Sequence, residues 1–108
     1  MADEPAAKTN PFSDIAPVLG EYTNDVLFGE VWERPGLSKR DRSLITVATL
    51  VALYRTNELP FHLKRALEMG VTGVGWAKVT TRLSFLAGWR NACTAVLIAR
   101  QVFAEAEA

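Results

Sequence analysis

Apolar side chains recur at helical spacing in successive runs of this chain, and residues typical of turns or caps separate the runs. The first run predicts a helix over residues 14–28, with Pro17 in its first turn and Gly29 as its end. Its apolar members are Ile15, Leu19, Tyr22 and Val26. Pro35 and Gly36 then indicate a turn before the next helix.

A second helix is expected over residues 39–55, which contain the run LITVATLVALY. Ser38 is a suitable N-cap, and Asp41 stands where a capping box places a Glu. Because the run is apolar on nearly all sides, and helices of that kind are usually buried, we expect this helix to lie at the centre of the fold.

A third helix is predicted to follow a bend near Thr56, with Asn57 as its cap and Pro60 in its first turn. It should run to Met69, where Gly70 provides a left-handed end.

Two more helices complete the predicted fold. Thr72 is a candidate cap for the fourth, and Gly88 separates it from the last. The apolar stripe of the fourth helix comprises Trp76, Val79, Leu83 and Leu86. The stripe of the last helix comprises Ala92, Val96, Ala99 and Phe103. No stretch alternates between apolar and polar residues in the manner of a hairpin, so the expected class is all-α with about five helices.

Length and composition indicate one globular domain. The chain has 108 residues, of which 49% are hydrophobic and 22% charged. Residues 1–12 read as a mobile N-terminal arm and residues 13–108 as the helical domain. The twelve basic and twelve acidic side chains cancel, which argues against a nucleic-acid partner. The N-terminus lacks a signal-peptide core and the longest apolar run is too short to cross a membrane, so a cytoplasmic location is expected.

Residue counts narrow the remaining function classes. One cysteine and one histidine exclude an internal disulfide, a cysteine-based zinc site and a histidine-rich metal site within one chain. Three tryptophans and five phenylalanines are difficult to cover in a chain of 108 residues, because small domains have a high ratio of surface to volume. Uncovered apolar surface usually meets a partner, so a homo-oligomer is expected.

The candidate chemistry is concentrated in Arg55, Glu58 and His62. On a continuous helix these residues fall within about 60° of one another on one face. Because Asn57 is the expected cap of a new helix, the bend near Thr56 must preserve that grouping. They combine a fixed cation, a carboxylate and a group that titrates near neutrality, a set able to hold an anion and transfer a proton. The structural alternative is an ion pair between Arg55 and Glu58 at a helix start, with His62 as a core histidine. Spacing alone favours that alternative.

Two other side chains are weaker candidates. Arg42 directly precedes the apolar run of the second helix, and if its side chain turns inward it is suited to clamp a carboxylate. Cys93 lies near the start of the last helix, where a lone cysteine is most often a small core residue. A nucleophilic role for Cys93 requires His62 beside it in space.

The chain resembles the carboxymuconolactone decarboxylases, within the alkylhydroperoxidase D-like superfamily. The matching segments are GEVWERPGLSKRDRSLITVATLVAL (29–53), NELPFHLKRALEMGVT (57–72) and, more loosely, LAGWRNACTAV (86–96). The resemblance implies an all-α fold that assembles into rings, often trimers or hexamers. It also implies cofactor-free decarboxylation of 4-carboxymuconolactone, a step of aromatic catabolism through protocatechuate, and no bound metal.

The resemblance also gives the candidate residues roles. Loss of CO₂ leaves negative charge delocalised towards the lactone carbonyl, so the site needs a cation or hydrogen-bond donor there and an acid that protonates carbon. The resemblance therefore implies that His62 is the acid and Glu58 its partner or proton relay. It assigns the binding of the substrate carboxylate to Arg42 or Arg55.

Several positions depart from the family pattern. Arg82 stands where many relatives have a His, Leu86 where they have a Tyr, and Arg90 where Pro is common. If the missing groups take part in catalysis in relatives, this protein uses Arg82 in substrate binding, accepts another small anionic substrate, or is a non-catalytic oligomeric protein.

The thiol-peroxidase branch of the superfamily fits this chain poorly. Its members carry a CxxC pair four and seven residues before the matching histidine, and those positions here are Glu58 and Arg55. Peroxidase chemistry of this kind needs an attacking thiolate and a second, resolving thiol. The sequence therefore argues against that activity.

Overall fold

A computed structural model describes residues 10–107, which contain helices and no strand. These residues group into two compact units, the first ending at Leu37 and the second beginning at Ser38. The helices are α1 (Pro17–Glu21), a π-helix here called π1 (Tyr22–Val31), α2 (Lys39–Ala52), α3 (Leu59–Glu68), α4 (Gly73–Leu86) and α5 (Trp89–Glu107). The predicted all-α class with about five helices is confirmed.

The first unit contains α1 and π1, which follow each other without a break. Pro17 lies in the first turn of α1, as predicted, but the helix begins at Pro17 and not at residue 14. The prediction that the helix ends at Gly29 is wrong, because π1 continues to Val31. In π geometry each amide is bonded to the carbonyl five residues earlier, and a Cβ on Gly29 would lie 2.9 Å from the carbonyl oxygen of Asn24. Glycine at position 29 therefore avoids a clash between a side chain and the Asn24 carbonyl.

The described part of the N-terminal segment contacts α1, whereas the first apolar stripe is exposed. Residues 1–9 of the arm lie outside the described residues, whereas the Asn10 side chain donates a hydrogen bond to the Gly20 carbonyl oxygen at 3.1 Å. Gly20 is the buried residue of α1, and π1 has none. The predicted apolar stripe is exposed, at 85% for Ile15, 54% for Leu19, 62% for Tyr22 and 43% for Val26.

The second unit is organised around α2, which contacts α3, α4 and α5. The Ser38 hydroxyl accepts the Asp41 amide at 3.0 Å, which confirms the predicted N-cap. The Asp41 carboxylate instead accepts a bond from Arg40 at 2.9 Å. The predicted burial of α2 is only partly observed. The helix contacts the other three helices of the unit, as α5 also does, but only one of its faces is buried, through Val47 and Val51 among others, and Ile45 is 54% exposed.

The core of the second unit is shared by all four of its helices. Trp76 of α4 is 2% exposed, and its ring meets Phe103 of α5 edge-on with centroids 5.7 Å apart. Such pairs add to the stabilisation from burying apolar area. The other buried members of this cluster are Val47, Val51, Leu59, Leu63, Ala66, Val71, Ala95, Ala99 and Val102.

Helix α3 begins one residue later than predicted. Its N-cap is Glu58 and not Asn57, and no side chain caps its first turn, while Pro60 lies in that turn as expected. At its other end Gly70 has φ +105°, and the Val71 amide donates to the Ala66 carbonyl at 2.9 Å. With the Gly70 amide bonded to the Leu67 carbonyl at 3.2 Å, this is a Schellman end.

The predicted start of α4 and the predicted break before α5 are observed, whereas some residues of their predicted apolar stripes are exposed. The Thr72 hydroxyl accepts the Gly75 amide at 2.9 Å, and Gly88 has φ +117° between the two helices. Leu86 and Val96 belong to the predicted apolar stripes but are 68% and 43% exposed. Within residues 10–107, none of the helices has the length and hydropathy needed to cross a bilayer.

The Thr72 cap gives a direct test of how α4 begins. We expect Thr72→Ala to lower the free energy of unfolding by ~1 kcal/mol, because the Gly75 amide loses its acceptor. Thr81→Ala is the matched control, since that exposed hydroxyl bonds to the Ala77 carbonyl inside the same helix and its loss should change stability by under about 0.5 kcal/mol. Urea denaturation measures both, and equal losses would contradict the capping role.

Candidate functional site

The C-terminal end of α2 positions the first candidate residue, Arg55. The Tyr54 amide donates to the Val51 carbonyl at 3.1 Å, and the Arg55 amide donates to the Leu50 carbonyl at 2.8 Å. This is the same Schellman pattern that ends α3. Tyr54 supplies the left-handed residue, with φ +60°, where α3 uses a glycine. A left-handed backbone costs a residue with a Cβ roughly 1–2 kcal/mol.

Arg55 and Glu58 form a two-point ion pair across the loop. Arg55 Nε lies 3.3 Å from Glu58 Oε1, and Arg55 Nη2 lies 3.2 Å from Glu58 Oε2. Both side chains are partly open to solvent, at 58% and 43% exposure respectively. The hydrogen bonds from Arg55 hold the pKa of the Glu58 carboxyl below its ordinary value, and they outweigh partial desolvation. Glu58 is therefore an anion at neutral pH.

His62 lies one helical turn after Glu58 on α3 and is half-buried. Its amide donates to the Glu58 carbonyl at 3.4 Å, and its ring meets Phe61 edge-on with centroids 5.0 Å apart. Burial is the main cause that lowers the pKa of His62, and the positive charge of Arg65 lowers it further, while Glu58 opposes both. The imidazole is therefore biased towards its neutral form.

Sequence reasoning missed one residue that affects His62 and one that bonds to the helix end before Arg55. Arg65 affects His62 electrostatically, and the signal was available, because residues at i and i+3 on a helix are neighbours. Asn91, in the first turn of α5, donates its side-chain amide to the Ala52 carbonyl at 3.0 Å. No sequence periodicity could reveal that bond, because its partners are 39 positions apart.

The remaining candidates lie elsewhere in the second unit. Arg42 is half-buried in the first turn of α2, about 15 Å along the helix axis from Ala52. Arg82 is exposed on α4, and Cys93 is exposed on α5 and not in the core. The structure thus brings Arg55 and Glu58 into direct contact with each other. His62 lies one helical turn after Glu58. The structure places Arg42 at the opposite end of α2.

Two shallow depressions on the second unit do not include this group. One of about 420 Å³ lies on the outer face of α4 and is lined by Val74, Ala77, Lys78 and Thr81. The other, of about 280 Å³, lies between α3 and α5 and is lined by Pro60, Phe61, Lys64, Val102, Glu105 and Ala106. Neither is lined by Arg55, Glu58 or His62, so these depressions do not enclose the candidate group.

Together, these residues form a small proton-transfer set beside an anion-binding cation. Glu58 occupies the Nε–Nη2 side of the Arg55 guanidinium, which leaves its Nη1 side for a second acceptor. The His62 imidazole can donate or accept a proton, and its lowered pKa favours the neutral form at neutral pH. A carboxylate held by Arg55 near His62 would therefore meet both a fixed charge and an acid–base group.

Comparisons with known proteins identify one matching family model and two similar proteins. The sequence model described as the carboxymuconolactone decarboxylase family matches residues 17–101. A 4-carboxymuconolactone decarboxylase of Acinetobacter baylyi is 41% identical over 76 residues, which cover 70% of this chain and 57% of that protein. A nitrosuccinic acid decarboxylase of Metarhizium robertsii is 26% identical over 81 residues, covering 75% of this chain and 57% of that protein. The chain thus matches somewhat more than half the length of each relative.

The lowered pKa of His62 predicts a specific pH dependence of stability. The unfolded chain binds the proton more tightly than the folded chain, so the free energy of unfolding should fall as pH drops through 6.5. Glu58 acts in the same direction only below its ordinary value of 4.5, which separates the two effects. Urea denaturation of wild type and His62→Gln from pH ~7.5 to ~5.5 measures the difference. An identical pH slope for both proteins would contradict the proposed environment of His62.

Proposed function

Because this chain belongs to the carboxymuconolactone decarboxylase family, we propose that it is a cofactor-independent carboxy-lyase acting on a small carboxylated lactone. The observation that carries this proposal is the two-point contact between Arg55 and Glu58, one helical turn before His62. The similarity to a protein named 4-carboxymuconolactone decarboxylase supports that compound as the first substrate to test.

The proposed reaction needs an acid and at least one cation. Arg55 holds a substrate carboxylate through the side of its guanidinium that Glu58 leaves open. The bond between the ring carbon and its carboxylate breaks, CO₂ leaves, and the electron pair remains on the ring carbon, delocalised towards the lactone carbonyl. Protonated His62 then donates its proton to the ring carbon next to the lactone carbonyl, which leaves the double bond at the carbon that lost CO₂, and Glu58 stabilises the imidazolium before transfer. Solvent returns a proton to His62 for the next turnover.

The second cation is assigned to Arg42 or Arg82. Arg42 lies about 15 Å along α2 from Ala52, too far to join Arg55 through the helix that carries it. Arg82 is exposed on α4, where a substrate or a second copy of the chain can reach it. A neighbouring copy therefore offers a way for either arginine to complete a site that one chain leaves open.

Exposed apolar side chains support a homo-oligomer. Phe85 and Trp89 form an edge-on aromatic pair with centroids 5.8 Å apart, although they are 77% and 64% exposed. Leu53 and Leu97 are also more than half exposed. Apolar surface of this kind is usually covered by a partner, and the family resemblance favours a trimer or hexamer.

A related decarboxylation of another small acid is the second candidate. The observation that favours it is the presence of Arg82, Leu86 and Arg90 at positions where the resemblance led us to expect His, Tyr and Pro. One similar protein is named a nitrosuccinic acid decarboxylase, so proteins of similar sequence carry names for different acids. Arg82 would suit a substrate with an additional negative charge.

The assignment of His62 is tested by following CO₂ release from 4-carboxymuconolactone. We expect His62→Gln to lower kcat/KM by ~10²–10⁴, because the proton donor is lost. The wild-type rate should rise as pH falls towards and below 6.5, since the lowered pKa leaves little protonated His62 at neutral pH. Glu58→Gln should also lower the rate, and Glu68→Gln on the same helix is its matched control, because Glu68 is exposed outside the candidate group.

Two outcomes of that assay would count against the assignments. Equal rates for wild type and His62→Gln would remove His62 from the chemistry. Turnover of nitrosuccinate but not of the lactone by the wild-type protein would select the second candidate.

The assembly is tested by size-exclusion chromatography with light scattering. We expect a mass three or six times that of the chain, because the exposed apolar surface becomes covered. Dilution over a wide concentration range serves as the control for weak association. A particle of 11.9 kDa at all concentrations would contradict the oligomer.

A further inference from the structure

At the end of α2, the bonds of its own turn do not reach the Ala52 carbonyl. The Schellman bonds from Tyr54 and Arg55 engage the Val51 and Leu50 carbonyls, and the next carbonyl belongs to Ala52. The last carbonyls of an α-helix have no partner within the helix. The side-chain amide of Asn91 donates to the Ala52 carbonyl at 3.0 Å, so a residue of α5 completes the end of α2.

This bond differs in kind from the other caps of the second unit. Ser38 and Thr72 cap their own helices by bonding to an amide three residues ahead. Asn91 instead joins two helices through a partly buried contact. It acts beside Tyr54, whose left-handed backbone is unfavourable for a residue other than glycine. An added bond from outside the turn helps to keep this conformation in place.

The position of Arg55 depends on this helix end. Its amide is fixed by the Leu50 carbonyl, and its guanidinium is aligned with Glu58 through two contacts of 3.3 and 3.2 Å. A two-point contact tolerates little displacement, because both N–H groups must keep their directions. If the backbone shifts near Ala52, the open side of the guanidinium shifts with it.

We propose that Asn91 is a positioning residue, which holds Arg55 in register with Glu58 by completing the C-terminal end of α2. Where it extends to catalysis, this inference rests on the proposed function. Asn91 then acts on substrate binding through Arg55, without touching the substrate. Removing the side-chain amide of Asn91 should displace the open side of the Arg55 guanidinium. The position of His62, the proposed acid on α3, should not change.

The direct test uses Asn91→Leu, which keeps much of the side-chain shape but cannot donate, together with Asn91→Ala. Asn57→Ala is the matched control, since Asn57 is an exposed asparagine of the α2–α3 loop. In both Asn91 variants the pKa of Glu58 should rise towards 4.5, because its contact with Arg55 is loosened. NMR of the glutamate carboxyl carbons, with Glu58→Gln for assignment, measures this change.

The kinetic arm separates positioning from general damage to the fold. KM for 4-carboxymuconolactone should rise about 3- to 10-fold in Asn91→Leu, the range expected for one lost hydrogen bond, while kcat remains close to wild type. In an Arg55→Ala background the same substitution should have no further effect on KM, because Asn91 acts through Arg55. Equal proportional losses in kcat and kcat/KM, or additive effects in the double variant, would overturn the proposal.

The two arms distinguish this inference from the proposed function. A raised pKa of Glu58 without turnover by wild type supports the positioning role and contradicts the proposed substrate. An unchanged pKa of Glu58 in folded Asn91→Leu overturns the positioning role whatever the activity. If the variants do not fold, hydrogen exchange of the side-chain amides in wild type decides the matter. Asn91 must exchange more slowly than Asn57, and equal rates overturn the proposal.

Discussion

The last carbonyl groups of α2 need hydrogen-bond donors, because an α-helix cannot satisfy its own C-terminal end. Two donors come from the turn itself, at Tyr54 and Arg55, and a third comes from Asn91 of α5. The same few bonds end the helix, hold a tyrosine in a left-handed conformation and place Arg55 opposite Glu58. Structure and candidate chemistry therefore share one set of contacts.

The environment of His62 reflects a balance of opposing effects. Burial and the charge of Arg65 disfavour the imidazolium, whereas Glu58 favours it. Glu58 is itself kept ionised by Arg55, so its charge is available to His62 across the pH range near neutrality. Compared with an exposed histidine, His62 is protonated in a smaller fraction of molecules at neutral pH. Its protonated form is, however, a stronger acid, because its pKa is lower.

Under the proposed function, the ion pair also affects substrate binding. An exposed pair of this type contributes little to stability by itself, so its value for this chain is geometric. Glu58 fixes the orientation of a long, flexible side chain and leaves one side of the guanidinium open. An arginine aligned before a substrate arrives loses less conformational freedom on binding than one that is mobile.

Local features of the sequence were sufficient to predict most helices and several of their ends. Ser38, Thr72 and Gly70 serve as predicted, because each acts on backbone groups within a few residues. Burial was predicted less well. The apolar residues Leu86 and Val96 fit helical stripes but are exposed, since periodicity defines a face and not what covers it.

The sequence by itself determined the all-α class and the spacing that places Glu58 one helical turn before His62, because both follow from positions along the chain. Arg55 lies in the loop before α3, so its contact with Glu58 does not come from a shared helical face. Only the tertiary structure decided that α2 and α5 meet through Asn91, and that the helix before Arg55 ends on Tyr54 and not on glycine. It also decided which face of each helix is buried. Those features depend on contacts between residues far apart in sequence, which local propensity does not encode.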